Sequence, residues 1–357
     1  MSPIPVSDGL TSRYIEVIGA NLHILERGHA DAPQKIVMIH GNIAAATWWE
    51  ELMLALDPAQ YHSVAIDLRG YGDSEATLPL DATRGMTGFA DDINAVVESL
   101  GWGKHHYIGH SMGGSVGYAY VLEYSHNLLS VTLVAPGSPH GFGGTKDVEG
   151  NPCYDDYAGS GGGMGNPELI RMMGEGYRGT ESPLSPRNAL RNLVFKPPFV
   201  HPREEAILDA LLATKLGEQF YPGDKTASPN WPMFAPGRYG AINGLSPKYE
   251  RGHELASHTG NKPPILWVRG EADTIISNTS TSELGYLGKL GLVPGWPGEA
   301  VFPPQPMVDQ TRAVLDKYKA NGGDYQEIIF EGCGHSPQAE DFERFLPLFQ
   351  TFIDQHQ

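Results

Sequence analysis

Three residues of this chain have the types and the order needed for nucleophilic attack on a carbonyl. Ser111 lies in G-H-S-M-G, Asp273 in W-V-R-G-E-A-D-T and His335 in E-G-C-G-H-S-P. A serine hydroxyl is a weak nucleophile at neutral pH, so it needs a base to take its proton, and the base needs a carboxylate to hold its tautomer. A lone G-x-S-x-G decides nothing without its strand–turn–helix context. Cys333, two residues before His335, competes as a nucleophile only if its surroundings are electropositive.

The elements around these residues supply the context. Apolar runs K-I-V-M-I-H, H-S-V-A-I-D, H-H-Y-I-G-H and L-S-V-T-L-V-A-P recur after residue 35, and between them fall helix-period segments near 47–57, 86–101 and 112–126. Strands buried on both faces and alternating with helices predict a parallel sheet. Two alternating runs over 13–28, separated by Gly19-Ala20, predict a hairpin at its edge. Ser111 then sits between a strand and a helix, on a sharp turn that its small neighbours make sterically possible. The helix opening at Met112 aims its dipole and free N–H groups at a reacting carbonyl. Asp273 follows the strand 264–270, and His335 follows the strand 325–331 and precedes a helix near 340–355. All three side chains are thereby predicted at one edge of the sheet.

Composition narrows the partner. The 357 residues carry a formal charge of −17, which repels nucleic acid and anionic lipid and leaves a small neutral or cationic molecule as the expected substrate. No stretch reaches the length of a membrane span, and the opening M-S-P-I-P-V-S-D-G-L lacks the basic and apolar regions of a secretory leader. A cytoplasmic protein is expected. Cys153 and Cys333 form no C-x-x-C pair and read as reduced thiols. His105 and His106 point to opposite faces of one strand and make a poor metal pair. No metal and no cofactor is expected.

After Pro136 the periodicity gives way to glycine, proline and aromatics, with helical patterns only near 166–177 and 203–218. A segment of this length between two core strands predicts a cap: residues 1–136 and 263–357 form the core, and 137–262 an inserted domain. The glycine run 159–165 lacks the Lys-Ser/Thr and the strand–helix frame of a phosphate cradle, and reads as a cap loop. Phe142, Tyr154, Tyr157, Phe220, Tyr221, Trp231 and Phe234 suit either a pocket roof or the cap's own core. A long connection, containing V-P-G-W-P-G-E-A-V-F-P-P-Q-P, joins the last two strands.

The motifs I-H-G-N (39–42), D-L-R-G-Y-G-D-S (67–74), G-H-S-M-G-G (109–114), R-G-E-A-D (269–273) and G-H-S-P-Q-A-E (334–340) together resemble those of α/β-hydrolase-fold serine hydrolases. The resemblance covers roughly 13–135 and 263–357. It implies an α/β-hydrolase fold, a mostly parallel central sheet flanked by helices, with the cap inserted. It also implies an oxyanion hole made by the backbone N–H groups of Asn42 and Met112, each worth roughly 3 kcal/mol in the transition state. A serine at the elbow, where dehalogenases and epoxide hydrolases of this fold place an aspartate, argues against both activities.

The expected reaction is cleavage of an ester or lactone of a mainly apolar small molecule through an acyl-enzyme on Ser111. Carbon–carbon hydrolysis of a β-diketone-type substrate is the alternative. A non-catalytic receptor on the same fold would gain nothing from a complete oxyanion loop, and a cofactor-free oxygenase or lyase is a minor rival. Trp48 is the expected substrate contact, with core packing as the competing reading. Asn42 either hydrogen-bonds substrate or caps its turn, and the turn preference of Asn favours the cap. Asp67, Arg69 and Asp73 read as a loop salt bridge, His110 as structural, and Trp296 as packing the long connection.

Overall fold

Residues Q-K-I-V-M-I turn Ile36 and Met38 to one side and Val37 and Ile39 to the other, and all four are fully buried. A strand can bury both faces only between two helical layers, and the computed structural model, which describes residues 3–357, has that form. The first two residues of the expected core segment lie outside the described residues. The strands are β1 (Thr11–Val17), β2 (Ala20–Arg27), β3 (Gln34–Ile39), β4 (Tyr61–Ile66), β5 (His105–His110), β6 (Leu128–Val134), β7 (Ile265–Gly270) and β8 (Tyr325–Phe330). Their order in the sheet is β1-β2-β4-β3-β5-β6-β7-β8, and a two-residue strand, Glu75–Ala76, adds to β2. Strands β3 to β8 run parallel, whereas β1 and β2 form the expected antiparallel hairpin at one edge. The order reverses between β3 and β5, and in open α/β sheets the crevice at such a reversal is where ligands bind.

Seven helices matter here: α1 (Glu50–Ala55), α2 (Thr87–Ser99), α3 (Met112–Tyr124), α4 (Pro167–Gly174), α5 (Glu204–Leu212), α6 (Met307–Ala320) and α7 (Phe342–Asp354). Helices α2, α3 and α6 pack on the Val37 face, and α1 and α7 on the Ile36 face. The chain thus has the α/β-hydrolase fold expected from its motifs. Helix α6 departs from the expectation. Its core-facing Thr311, Val314, Leu315 and Tyr318 have helical spacing, but the proline- and glycine-rich run just before them reads as loop and hides it.

Residues 137–262 contribute no strand to the main sheet. They hold α4, α5, short helical turns and two small ladders, with an apolar cluster that includes Met173, Leu190, Leu208, Leu211 and Tyr221. The glycine run is a packed turn: a Cβ on Gly162 would strike the carbonyls of Gly223 and Asp224, and one on Gly163 the Phe234 ring. The long connection after β7 is fastened to this insert by Phe302, fully buried between Tyr154 and Trp231. Trp296 serves the connection itself, donating through Nε1 to the Phe302 carbonyl at 2.9 Å. Among the described residues no helix is long and apolar enough to cross a membrane.

Candidate active site

Ser111 follows β5 and stands at the N-cap position of α3 with φ 55° and ψ −117°. A non-glycine residue rarely adopts that backbone, and where it does the strain is held by its surroundings. Here Ser111 N–H donates to the Val134 carbonyl at 2.8 Å, and the glycines bring backbone against backbone. A Cβ on Gly109 would run into the Gly113 carbonyl, and one on Gly113 into the carbonyls of Ile39 and His40. Ser111 is partly exposed, and its Oγ makes no hydrogen bond among the described residues.

Asp273 and His335 come together at the ends of β7 and β8. Gly270 and Gly334 touch so closely that a Cβ on Gly270 would strike the Gly334 carbonyl, and Ala272 N–H donates to the Cys333 carbonyl at 2.9 Å. His335 Nδ1 lies 2.8 Å from Asp273 Oδ2, with both residues buried. The other carboxylate oxygen accepts the N–H groups of Ile275 and Ile276 at 2.7 and 2.9 Å. A carboxylate so occupied holds the proton on Nδ1 and leaves Nε2 as the basic nitrogen. His110, adjacent to Ser111, donates through Nε2 to the His335 carbonyl at 2.9 Å. Burial pushes its pKa well below the ordinary value, so the ring is neutral and structural. No bond joins Ser111 Oγ to His335 among the described residues. Such bonds are often long in unliganded enzymes and tighten around substrate.

The loop after β3 passes directly beside the serine: a Cβ on Gly41 would stand 3.0 Å from Ser111 Cβ. His40 Nε2 accepts the Leu68 N–H at 3.0 Å, so its protonated Nδ1 donates to the Gly41 carbonyl at 2.7 Å. Asp67 Oδ1 accepts the Ala46 N–H at 2.6 Å. The N–H groups of Asn42 and Met112 donate to no protein acceptor among the described residues. The Asn42 side chain accepts from Tyr71 Oη at 2.8 Å instead of capping the turn as expected. Arg69 also departs from expectation, pairing with Asp92 on α2 at 2.6 Å, while Asp67 pairs with His23.

Trp49 is core, and Trp48 is stacked between His110 at 5.0 Å and Phe195 of the insert at 5.6 Å. Trp48 therefore backs the elbow and joins it to the insert. Of the insert aromatics, Tyr221 packs in the cluster facing Ile43 and Trp48, whereas Tyr154 and Trp231 hold the long connection. His105 and His106 are satisfied separately, by Tyr120 and by Ser130 and Gln34. Burial pushes the Cys333 thiol up to about 11, so it stays protonated. Two shallow polar hollows lie by the β1–β2 hairpin, and neither touches Ser111, Asp273 or His335.

Glu340 was not singled out from the sequence. Its Oε2 accepts the N–H groups of Gly334 and, from the insert, Lys196, at 2.9 and 3.0 Å, and its Oε1 that of Ser336 at 3.1 Å. It clamps the histidine loop. It closes the motif G-H-S-P-Q-A-E, but nothing in that motif points to Lys196, because the bond spans two distant segments.

The family model of the α/β-hydrolase fold matches residues 35–158, a segment that holds Asn42, Ser111 and Met112 and stops before Asp273 and His335. Solved structures share the fold over nearly the whole length. A thermophilic esterase from Thermogutta terrifontis superposes with TM-score 0.56 at 17% identity, covering 97% of this chain and 100% of that one. An esterase from Exiguobacterium antarcticum gives 0.58 at 17%, covering 96% and 100%. This chain has the α/β-hydrolase fold. Among curated proteins, a 2-hydroxy-6-oxononadienedioate/2-hydroxy-6-oxononatrienedioate hydrolase of Klebsiella pneumoniae is 30% identical over 148 residues, 39% of this chain. The chain spans about half the length of the curated relatives it matches, 49% in that case.

Proposed function

We propose that this protein is a serine hydrolase that cleaves a carboxylic ester or lactone of a small, mainly apolar molecule. The observation that carries this reading is a strained Ser111, whose hydroxyl makes no hydrogen bond among the described residues, at the reversal of the sheet and on the edge where His335 is locked to Asp273. Ser111 Oγ attacks the carbonyl carbon while His335 Nε2 takes its proton. The oxyanion is held by the free N–H groups of Asn42 and Met112, and the imidazolium then protonates the departing alcohol. Water repeats the sequence on the acyl-enzyme and releases the acid. Asp273 keeps the imidazole in register and stabilises its charge.

A second reading, hydrolysis of a carbon–carbon bond beside a carbonyl, is favoured by the names of the curated relatives. A dioate substrate, as in those names, needs a cation to receive it. Every arginine of the insert, from Arg171 to Arg251, already faces an acidic partner. The insert's lysines make no such pair among the described residues, so the choice between the two readings rests on the substrate panel. An organophosphonate is expected to label Ser111 and abolish activity, and Ser111→Ala to be inert on a panel of esters, lactones and β-diketones. Failure to label, with turnover surviving in Ser111→Ala, sinks the reading. Turnover of diketones alone replaces it with the second.

A further inference from the structure

An oxyanion hole works only if its donors are fixed before the charge appears, and the two proposed here come from separate segments, the loop after β3 and the start of α3. The β3 loop is held by three bonds from the segment 67–74. Two of them, Leu68 N–H to His40 and Ala46 N–H to Asp67, act on either side of Asn42. The third is aimed at Asn42 itself: Tyr71 Oη lies 2.8 Å from Asn42 Oδ1 and 3.6 Å from Met112 Sδ. The hydroxyl thus meets the side chains of both residues whose N–H groups would form the hole. Asn42 is followed by Ile43 at φ 47°, a strained backbone that needs support.

The geometry points to Tyr71 as a positioning residue that couples the two halves of the oxyanion hole, holding the Asn42 peptide in register with the Met112 N–H. This rests on the reading of Ser111 as the nucleophile. Tyr71 is 1% exposed, its ring edge packs on His40 with centroids 5.3 Å apart, and its N–H donates to the Leu68 carbonyl at 2.9 Å. Burial raises its pKa far above the ordinary value, which keeps the hydroxyl a donor. Its single proton goes to the Asn42 oxygen, the nearer and stronger acceptor. That fixes the orientation of the amide and, through it, of the loop.

Tyr71→Phe keeps the ring and deletes the hydroxyl. The expected result is a fall in kcat of about tenfold with KM little changed, because the lost support acts only on the transition state. Affinity for a trifluoromethyl ketone, whose serine adduct carries the oxyanion, falls by the same factor. Asn42→Leu, which leaves the buried tyrosine in place, makes the same test from the other end, and the double variant is no slower than either single one. Unchanged kcat and ketone affinity in Tyr71→Phe, or losses that add in full in the double variant, overturn the inference. Complete labelling of wild-type Ser111 by the organophosphonate separates that result from failure of the serine reading. If the wild type does not label, both fall together.

Discussion

The core and the insert are held together by different means. In the core, the groups that matter chemically are placed by backbone pressed on backbone: Gly109 on Gly113, Gly113 on the end of β3, Gly270 on Gly334. The insert has such a seam at its glycine turn, Gly162 on Gly223 and Asp224, and adds to it a small apolar cluster and side-chain ion pairs, with Arg187 and Arg191 on Glu204 and Arg203 on Glu50 of α1. Backbone contacts leave no room for an added methyl group, so they hold geometry tightly. Side-chain pins can be exchanged for others of similar size. Under the proposed function, the bond-breaking step falls in the core.

The sharpest way to break that contrast is at Ser111, the proposed nucleophile. Ser111→Ala is expected to lower kcat roughly 10⁴–10⁶-fold with an unchanged melting temperature, read by steady-state kinetics and calorimetry. Next comes the backbone seam under His335. Gly270→Ala has to push the His335 loop aside and is expected to cost about 10²-fold in kcat, since displacements near 1 Å have that effect. Wild-type kinetics in that variant would remove the claim that backbone contact sets the geometry.

The insert is tested by its pins. Arg203→Ala strands the fully buried Glu50 carboxylate, a loss of about 3 kcal/mol in unfolding free energy, which Arg203→Met with Glu50→Leu largely restores. Glu250, also in the insert, gives a pH signature. It is buried, with Oε2 unpartnered, and burial raises its pKa from 4.5 to about 8. The folded state therefore holds this proton more tightly than the unfolded one, and stability falls as pH rises between those two values. Glu250→Gln is expected to flatten that decline in a pH series of thermal melts, and an equal slope in both proteins removes the assignment. The smallest effect is expected at Cys333, where the raised thiol pKa predicts that Cys333→Ser keeps nearly all activity under the same assay.

Where each side chain's neighbours are close in sequence, the chain was readable. The β5–Ser111–α3 turn has its glycines two residues away, and the parallel strands announce themselves by unbroken apolar runs. Helix α6 was missed because proline and glycine precede it. The partners of Arg69 and Asn42 were missed because α2 and the loop 67–74 reach them only after folding. Glu340 is the same case, tying residue 334 to residue 196.

By itself the sequence determined the order of the parallel strands and singled out Ser111, Asp273 and His335 as the candidate site, because strand and helix periodicity and turn chemistry are local properties. Only the tertiary structure decided which groups support them. Tyr71 on Asn42, His110 on His335 and Glu340 on Lys196 are hydrogen bonds between segments far apart in the chain. Their geometry exists only once the sheet has brought its strand ends together.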